Sequence, residues 1–242
     1  MFTTLSTPVP LVPHYMVKSK QPVDANAPSN ATYTSFSSPP TASFRQLEED
    51  RVLTSFKESV VQAWPGPGRL DSQNAQTPNT TNADIVKSLP PKPFEMPDGW
   101  NTVFGLERYK VIESLFDHRA AYALPPHSTQ PEIKGEDTLP SIINKSLQNC
   151  DVETRAHLLS NVILTGAGSL IEKLPDRLSS DLAAMFPNPR VRVLATPNSV
   201  ERKYGAWIGG SVLASLGTFH QMWVSRQEYQ EFGAGIVEKR CK

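Results

Sequence analysis

The turn Thr165-Gly166-Ala167-Gly168-Ser169 lies between an apolar run and a helical pattern, and it is the part of this sequence best suited to hold an anion. Glycines at a strand-to-helix junction let backbone N–H groups approach a phosphate closely, and a helix start adds a favourable field. The turn lacks the Lys-Ser/Thr of a P-loop and the spacing of a dinucleotide fingerprint. Taken alone, therefore, it reads first as a tight connection and second as a ligand loop. Other chemistries find less support. His14, His118, His127, His157 and His220 show no metal-ligand spacing and read as structural or surface histidines. There is no G-x-S-x-G elbow. Cys150 and Cys241 have no base near them in sequence, and two cysteines make neither a disulfide framework nor a Cys-rich zinc site. The acidic residues are dispersed, with no paired carboxylates.

The elements that must position these residues are unevenly spread. Of the 22 prolines, 14 fall in residues 1–100 and none after Pro197, so the first hundred residues have a weaker claim to a packed core than the rest. Residues 1–44 read as mostly disordered, with a short docking segment at 8–23 whose apolar patch is Leu11, Val12, Tyr15, Met16 and Val17. Val52, Leu53, Phe56, Val60 and Ala63/Trp64 recur at helical spacing, giving a helix over 45–64 that Pro65-Gly66-Pro67-Gly68 stops. Residues 65–91 read as a disordered, Asn- and Thr-rich loop. A hairpin follows at 92–104 around Pro97-Asp98-Gly99, then a helix near 106–116 and another loop at 118–136.

Order is densest from 139 onward. Two short helices meet near Asp151, and strands are expected at 161–165 and 191–194. Between these strands, Ser169 is placed to cap a helix carrying Leu170, Ile171, Leu174, Leu178 and Leu182 as one stripe. Strand, helix and strand within this span form a βαβ-like unit. A helix is expected over 201–217, and Ser225 to Glu228 form a capping box for a last helix that Gly233 stops.

Charge and hydropathy exclude several roles. Lys and Arg balance Asp and Glu at 24 each, which argues against a nucleic-acid binder that works by bulk charge. No apolar run reaches the length of a membrane span, and the first residues lack the basic and apolar regions of a signal peptide. The expected setting is intracellular and reducing, with no membrane partner.

One long run is more specific than any of these patterns. Glu201-Arg-Lys-Tyr204, followed by Trp207-Ile-Gly-Gly-Ser211-Val-Leu-Ala-Ser-Leu216-Gly-Thr-Phe219-His-Gln-Met-Trp223-Val-Ser-Arg-Gln-Glu-Tyr229, resembles the C-terminal signature of the actin family. Upstream matches keep the same order: Phe94 to Gly99, Gly105 to Tyr109, Glu113 to Phe116, Cys150 to Arg155 and Asn161 to Gly166. Together they cover about residues 92–242, identified with the third subdomain and part of the fourth. The segment Pro10 to Val23, the lead-in Asn198-Ser-Val before Glu201, and the variant Leu216-Gly-Thr-Phe219-His-Gln narrow the likeness to nuclear actin-related proteins of chromatin complexes.

The resemblance implies an α/β, actin-like lobe of the ribonuclease-H type, partial, with long disordered insertions. It implies ATP as cofactor, weakly held or absent here. Gly166, Ala167 and Gly168 match the family's second nucleotide loop, with Ala167 where glycine is usual. Leu170 and Ile171 match positions flanking adenine, without the aromatic ring common at the second. Lys203 matches a lysine that reaches the nucleotide, and Lys57 and Glu58 align with a pair lining the adenine pocket. A solvated helix face is the competing reading of that pair. Leu213, Leu216, Thr218 and Met222 match one wall of a groove that receives amphipathic helices, and core packing is the competing reading for Leu213.

The family's two phosphate hairpins each carry Asp-x-Gly, a pattern absent from these 242 residues. Phosphoryl transfer needs metal, phosphate cradle and positioned water together, so the expectation is a non-catalytic scaffold with an incomplete ATP site. The implied partners are actin, the long helix of a remodeller motor or scaffold subunit, other chromatin-complex subunits and, indirectly, the nucleosome, all in the nucleus. A divergent cytoskeletal actin-like fragment is the alternative. A sugar kinase or chaperone of the wider superfamily does not share the Trp207 to Tyr229 run.

Overall fold

The computed structural model describes residues 9–77, 79–120 and 133–240. In chain order these form β1 (Val17–Gln21), β2 (Asn30–Tyr33), α1 (Ala42–Ser59), α2 (Asn82–Lys87), β3 (Lys92–Glu95), β4 (Asn101–Phe104), α3 (Glu107–Glu113), α4 (Leu139–Gln148), α5 (Val152–Leu159), β5 (Val162–Leu164), α6 (Leu174–Met185), β6 (Val193–Ala195), α7 (Ser199–Ser215), α8 (Arg226–Phe232) and α9 (Ile236–Arg240). The strands pair as β1–β2 and β3–β4, both antiparallel, and β5–β6, parallel. Two compact units result. One comprises Met1–Leu164 with Leu170–Ala195, the other Thr165–Ser169 with Thr196–Lys242.

The first unit holds the main core. Val52 and Phe56 are buried on one face of α1 and Val60 is its buried C-cap, so the helix ends at Ser59, short of the expected 64, and Val61, Ala63 and Trp64 are buried beyond it. Phe56 meets the β3–β4 hairpin in two edge-on contacts, 5.1 Å from Phe94 and 5.0 Å from Phe104 between ring centroids. Such pairs contribute beyond the apolar area they bury. Leu174, Leu178 and Leu182 of α6 close the same core with Ile112 and Phe116. A smaller cluster joins Trp64, Leu70, Val86 and Tyr109.

The turn after α1 is built on Gly66. Its φ of +89° suits glycine, and a Cβ there would overlap the Ser180 hydroxyl. Beside it lies a buried ion cluster. Arg177 donates to both Glu113 carboxylate oxygens at 2.8 and 3.0 Å, and its Nε donates to Asp181 at 2.9 Å. The Leu70 N–H donates to Glu113 Oε1 at 2.9 Å, and the Arg177 guanidinium stands 4.6 Å from the centre of the Phe116 ring. Burial opposes the charge on Arg177, but the bonds and attraction of Glu113, with those of Asp181, together outweigh this and its pKa is raised. Burial pushes the Asp181 carboxyl up, and Arg177 only partly offsets that. Glu113 is therefore the principal counter-ion.

Three sequence expectations need correction. First, the stretch within 24–44 read as disordered is shaped by a hairpin and its anchors. β1 and β2 pair from Val17 to Tyr33 with one register shift. Asn26 N–H donates to Asn101 O at 2.8 Å, Asn101 Nδ2 to Val23 O at 3.0 Å and Ser29 Oγ to Asp98 O at 2.6 Å. Composition undercounts such order because the anchors are polar groups far away in sequence.

Second, residues 65–91 contain α2 and a fully buried Asn82, whose amide donates to Arg69 O at 2.8 Å and accepts from Asn74 Nδ2 at 2.7 Å. A hydrogen-bonded asparagine can organise a loop that has few apolar residues.

Third, Ser169 does not cap the helix. Its Oγ donates to Gly166 O at 2.7 Å within a short 3-10 turn, Ala167–Leu170. α6 begins only at Leu174, after Lys173 in the left-handed region at φ +66° and with Pro175 in the first turn. Leu170 and Ile171 therefore precede the helix whose stripe they were expected to share. In the 118–136 loop, residues 121–132 lie outside the described residues, as do residue 8 of the docking segment and Cys241.

α2 carries a pH-sensitive cap. Thr81 and Asp84 form a reciprocal capping box, and the bonds from the Thr81 hydroxyl, Lys87 and the Thr81 N–H lower the Asp84 pKa from 3.8 to about 2. A carboxylate with a depressed pKa stabilises the fold fully above its ordinary value and loses that contribution as pH falls. The expected result is a carboxyl carbon titration for Asp84 centred near 2 with α2 loosening between about pH 4 and 2. A Thr81→Ala variant should return the midpoint toward the ordinary value, as read by NMR.

The second unit has a thinner core. Asn198 caps α7 by accepting from the Val200 and Glu201 N–H groups at 2.9 and 3.3 Å. No residue of α7 is buried. The Ser225–Glu228 capping box forms as the spacing requires, and Gly233 ends α8 with φ +63°. Arg240 pairs with Glu228, and Phe219 stacks edge-on with Trp223 at 5.2 Å.

Candidate functional site

The anion-loop candidate lies where the sequence places it, just after β5. Gly166 adopts φ +91°. A Cβ built on Gly166 or Gly168 would meet no atom within 4 Å, so the backbone of the turn borders open space at both positions. Its hydrogen bonding is less like a phosphate cradle. The Gly166 N–H donates to Arg202 O at 2.8 Å, and the Thr165 hydroxyl donates to the same carbonyl at 3.2 Å. A cradle needs several N–H groups converging on one anion, and the first of them is already committed to α7. The Ala167 side chain is exposed, so its methyl does not crowd a buried contact.

Lys203 is exposed on α7, one residue past Arg202, with its ammonium 5.7 Å from the centre of the Tyr204 ring. The second unit therefore ties Gly166 to Arg202, the chain neighbour of Lys203. Ile171 and Leu170 belong to the first unit and are half-buried. Ile171 packs against the core cluster that contains Phe56. Lys57 and Glu58 are exposed on α1.

The groove candidates follow directly. Leu213 lies in the last turn of α7, Leu216 is its C-cap, and Thr218 and Met222 lie in the 3-10 turn Gly217–Met222. All four are exposed, with Leu213, Leu216 and Met222 at 45, 49 and 47% of their full surface. Core packing, the competing reading for Leu213, does not hold within its unit. Trp207, Val212 and Trp223 are exposed as well. These side chains leave an apolar surface exposed in the unit.

Among the described residues no group of three or more His, Cys, Asp or Glu could hold a metal, and no helix is long and apolar enough to cross a membrane. An open apolar cavity of about 250 Å³ lies in the first unit beside Ile142, Ile143, Leu147, Cys150 and Leu158 and includes none of the candidate residues.

Sequence reasoning did not single out Thr165, Arg202 and Gly205 as the residues that join the turn to α7. A glycine inside a helical run was the available signal, since such a glycine often marks a close backbone approach.

Comparison with known proteins gives a consistent set of matches. The actin family model matches residues 1–242. Actin-related protein 4 of Emericella nidulans is 49% identical over 99% of this chain and 51% of its own length. Actin-related protein 4 of Neurospora crassa is 48% identical over 97% of this chain and 48% of its own. The SWI/SNF and RSC complexes subunit arp42 of Schizosaccharomyces pombe is 33% identical over 100% of this chain and 56% of its own. The chain spans about half the length of the curated relatives it matches.

Proposed function

Because the chain belongs to the actin family, with a partial actin-type fold of mixed helix and strand, we propose that it acts as a non-catalytic scaffold subunit of nuclear chromatin-remodelling and histone-acetyltransferase complexes. The similarity to actin-related protein 4 across nearly the whole chain carries this reading. A relative whose name places it in SWI/SNF and RSC complexes supports it. The partners are actin, the long helix of a motor or scaffold subunit, and other subunits of those complexes, with the nucleosome reached through them. The exposed Leu213, Leu216, Thr218 and Met222 would receive that helix, since apolar anchors at helical spacing need such a groove and methionine adapts to its occupant.

ATP is the cofactor of this reading, held weakly. Gly166, Ala167, Gly168 and Lys203 of the second unit are the residues of that unit assigned to it. Bound nucleotide would stabilise the fold by mass action rather than serve as a substrate. Without Asp-x-Gly hairpins to place metal and phosphates, the chain lacks the parts that phosphoryl transfer requires. The purified chain is expected to release no phosphate from ATP above the buffer rate in a malachite-green assay, and steady turnover would overturn the non-catalytic assignment.

The wider reading is tested by capture. A tagged chain expressed in nuclei should co-purify motor and acetyltransferase subunits. Sedimenting filaments of the chain alone, with no such subunits captured, would favour the cytoskeletal alternative instead.

A further inference from the structure

We propose that Thr165 and Gly205 are a matched pair that clamps the 165–169 turn onto α7 and thereby sets the position of Lys203 beside that turn. This rests on the nucleotide reading above. Three hydrogen bonds join Arg202 to the turn. Its carbonyl accepts from the Gly166 N–H at 2.8 Å and from Thr165 Oγ1 at 3.2 Å, and its Nη1 donates to Ser169 O at 3.4 Å. A helical carbonyl that accepts from outside the helix is drawn off the helix axis, and competition of this kind is a common origin of kinks. α7 has its irregular residue two positions on, at Tyr204, with φ −107° and ψ 15°. Lys203 lies between the bonded residue and the irregular one, so its direction from the helix follows from the clamp.

Gly205 makes the approach possible. A Cβ at this position would stand 2.6 Å from Thr165 Oγ1 and 3.9 Å from Thr165 Cβ. The first distance is shorter than any ordinary contact, so the turn and α7 reach their separation because residue 205 has no side chain. Glycine is disfavoured inside a helix, and the close approach is what the structure shows in return. Thr165 is suited to the other side. As a β-branched residue it has few rotamers, which holds its hydroxyl on the Arg202 carbonyl. The pair positions Lys203 and the turn without touching the nucleotide itself.

The test measures binding of a fluorescent ATP analogue to the full chain, with a thermal melt of every variant. Gly205→Ala is expected to weaken binding about tenfold, the scale on which a small misplacement of a binding group is felt. Thr165→Ala combined with Gly205→Ala should bind about as weakly as either single variant, because both changes open the same clamp. That non-additivity separates the clamp from general damage. If Gly205→Ala does not fold, Thr165→Ala compared with Thr165→Ser reads the same point, with the loss expected only where the hydroxyl is removed. Unchanged affinity in Gly205→Ala and Thr165→Ala overturns the proposal and leaves the nucleotide reading standing, as does a double variant whose loss is the sum of the two single losses. A wild-type chain that binds no analogue sinks the nucleotide reading and this proposal with it.

Discussion

Replacing Arg177 with methionine should lower the unfolding free energy by about 3–5 kcal/mol, the usual consequence of stranding one member of a buried ion pair. Arg177 and Glu113 have only 1 and 3% of their side-chain surface exposed. The variant leaves the Glu113 carboxylate in the core with the Leu70 N–H as its remaining bonded donor. It also removes the cation above the Phe116 ring and the bond to Asp181. Glu113→Gln should cost less than Arg177→Met, since an amide can still accept from Leu70. Combining Arg177→Met with Glu113→Gln should cost clearly less than the sum, because the deeply buried Glu113 charge is then no longer left uncompensated.

Asp181 should behave differently. Its pKa is raised by burial despite Arg177. Its ionisation in the fold is therefore a cost, and whatever stability its protonated form lends is lost as pH rises through the raised value. Asp181→Asn should accordingly be the mildest of the three single changes at neutral pH. Denaturant unfolding with each variant at pH 7 measures all of this. Additive losses in the double variant would show that Arg177 and Glu113 do not act as a pair.

Aspartate at Leu216 or Met222 should reduce capture of complex subunits by roughly thirtyfold each, the loss expected when an interface anchor worth about 2 kcal/mol is removed. Both side chains are about half exposed in their unit, so the substitutions bury no charge in the chain's own core. Their effect on unfolding should stay within about 0.5 kcal/mol. This pairing of a large binding effect with a small stability effect distinguishes a docking wall from a structural one. Quantitative pull-down with a motor-subunit helix, alongside melts of the same proteins, checks it. Undiminished capture in both variants would remove these residues from the interface.

Much of the local structure was legible because it depends on neighbouring residues. The spacing of Val52, Phe56 and Val60 requires a helix with one buried face, and α1 has it. Pro97-Asp98-Gly99 requires a turn, and β3 and β4 flank it. Ser225 with Glu228, and then Gly233, mark both ends of α8 without reference to anything distant. The family signature from Glu201 to Tyr229 is likewise a property of the chain itself.

What sequence could not place were the features made by residues far apart. The order in 17–33 and 65–91 comes from polar anchors such as Asn26 to Asn101 and Asn74 to Asn82, which composition counts as solvated. The start of α6 at Leu174 depends on a left-handed Lys173, a choice that helical periodicity across 169–182 does not register. Gly166-Ala167-Gly168 was recognisable as a turn with room for a ligand. Only the tertiary structure shows that its first N–H is spent on Arg202 and that Gly205 must lack a side chain for Thr165 to lie there. Periodicity and motif specify which residues share an element. Close approach between elements is decided by distances that no linear spacing contains.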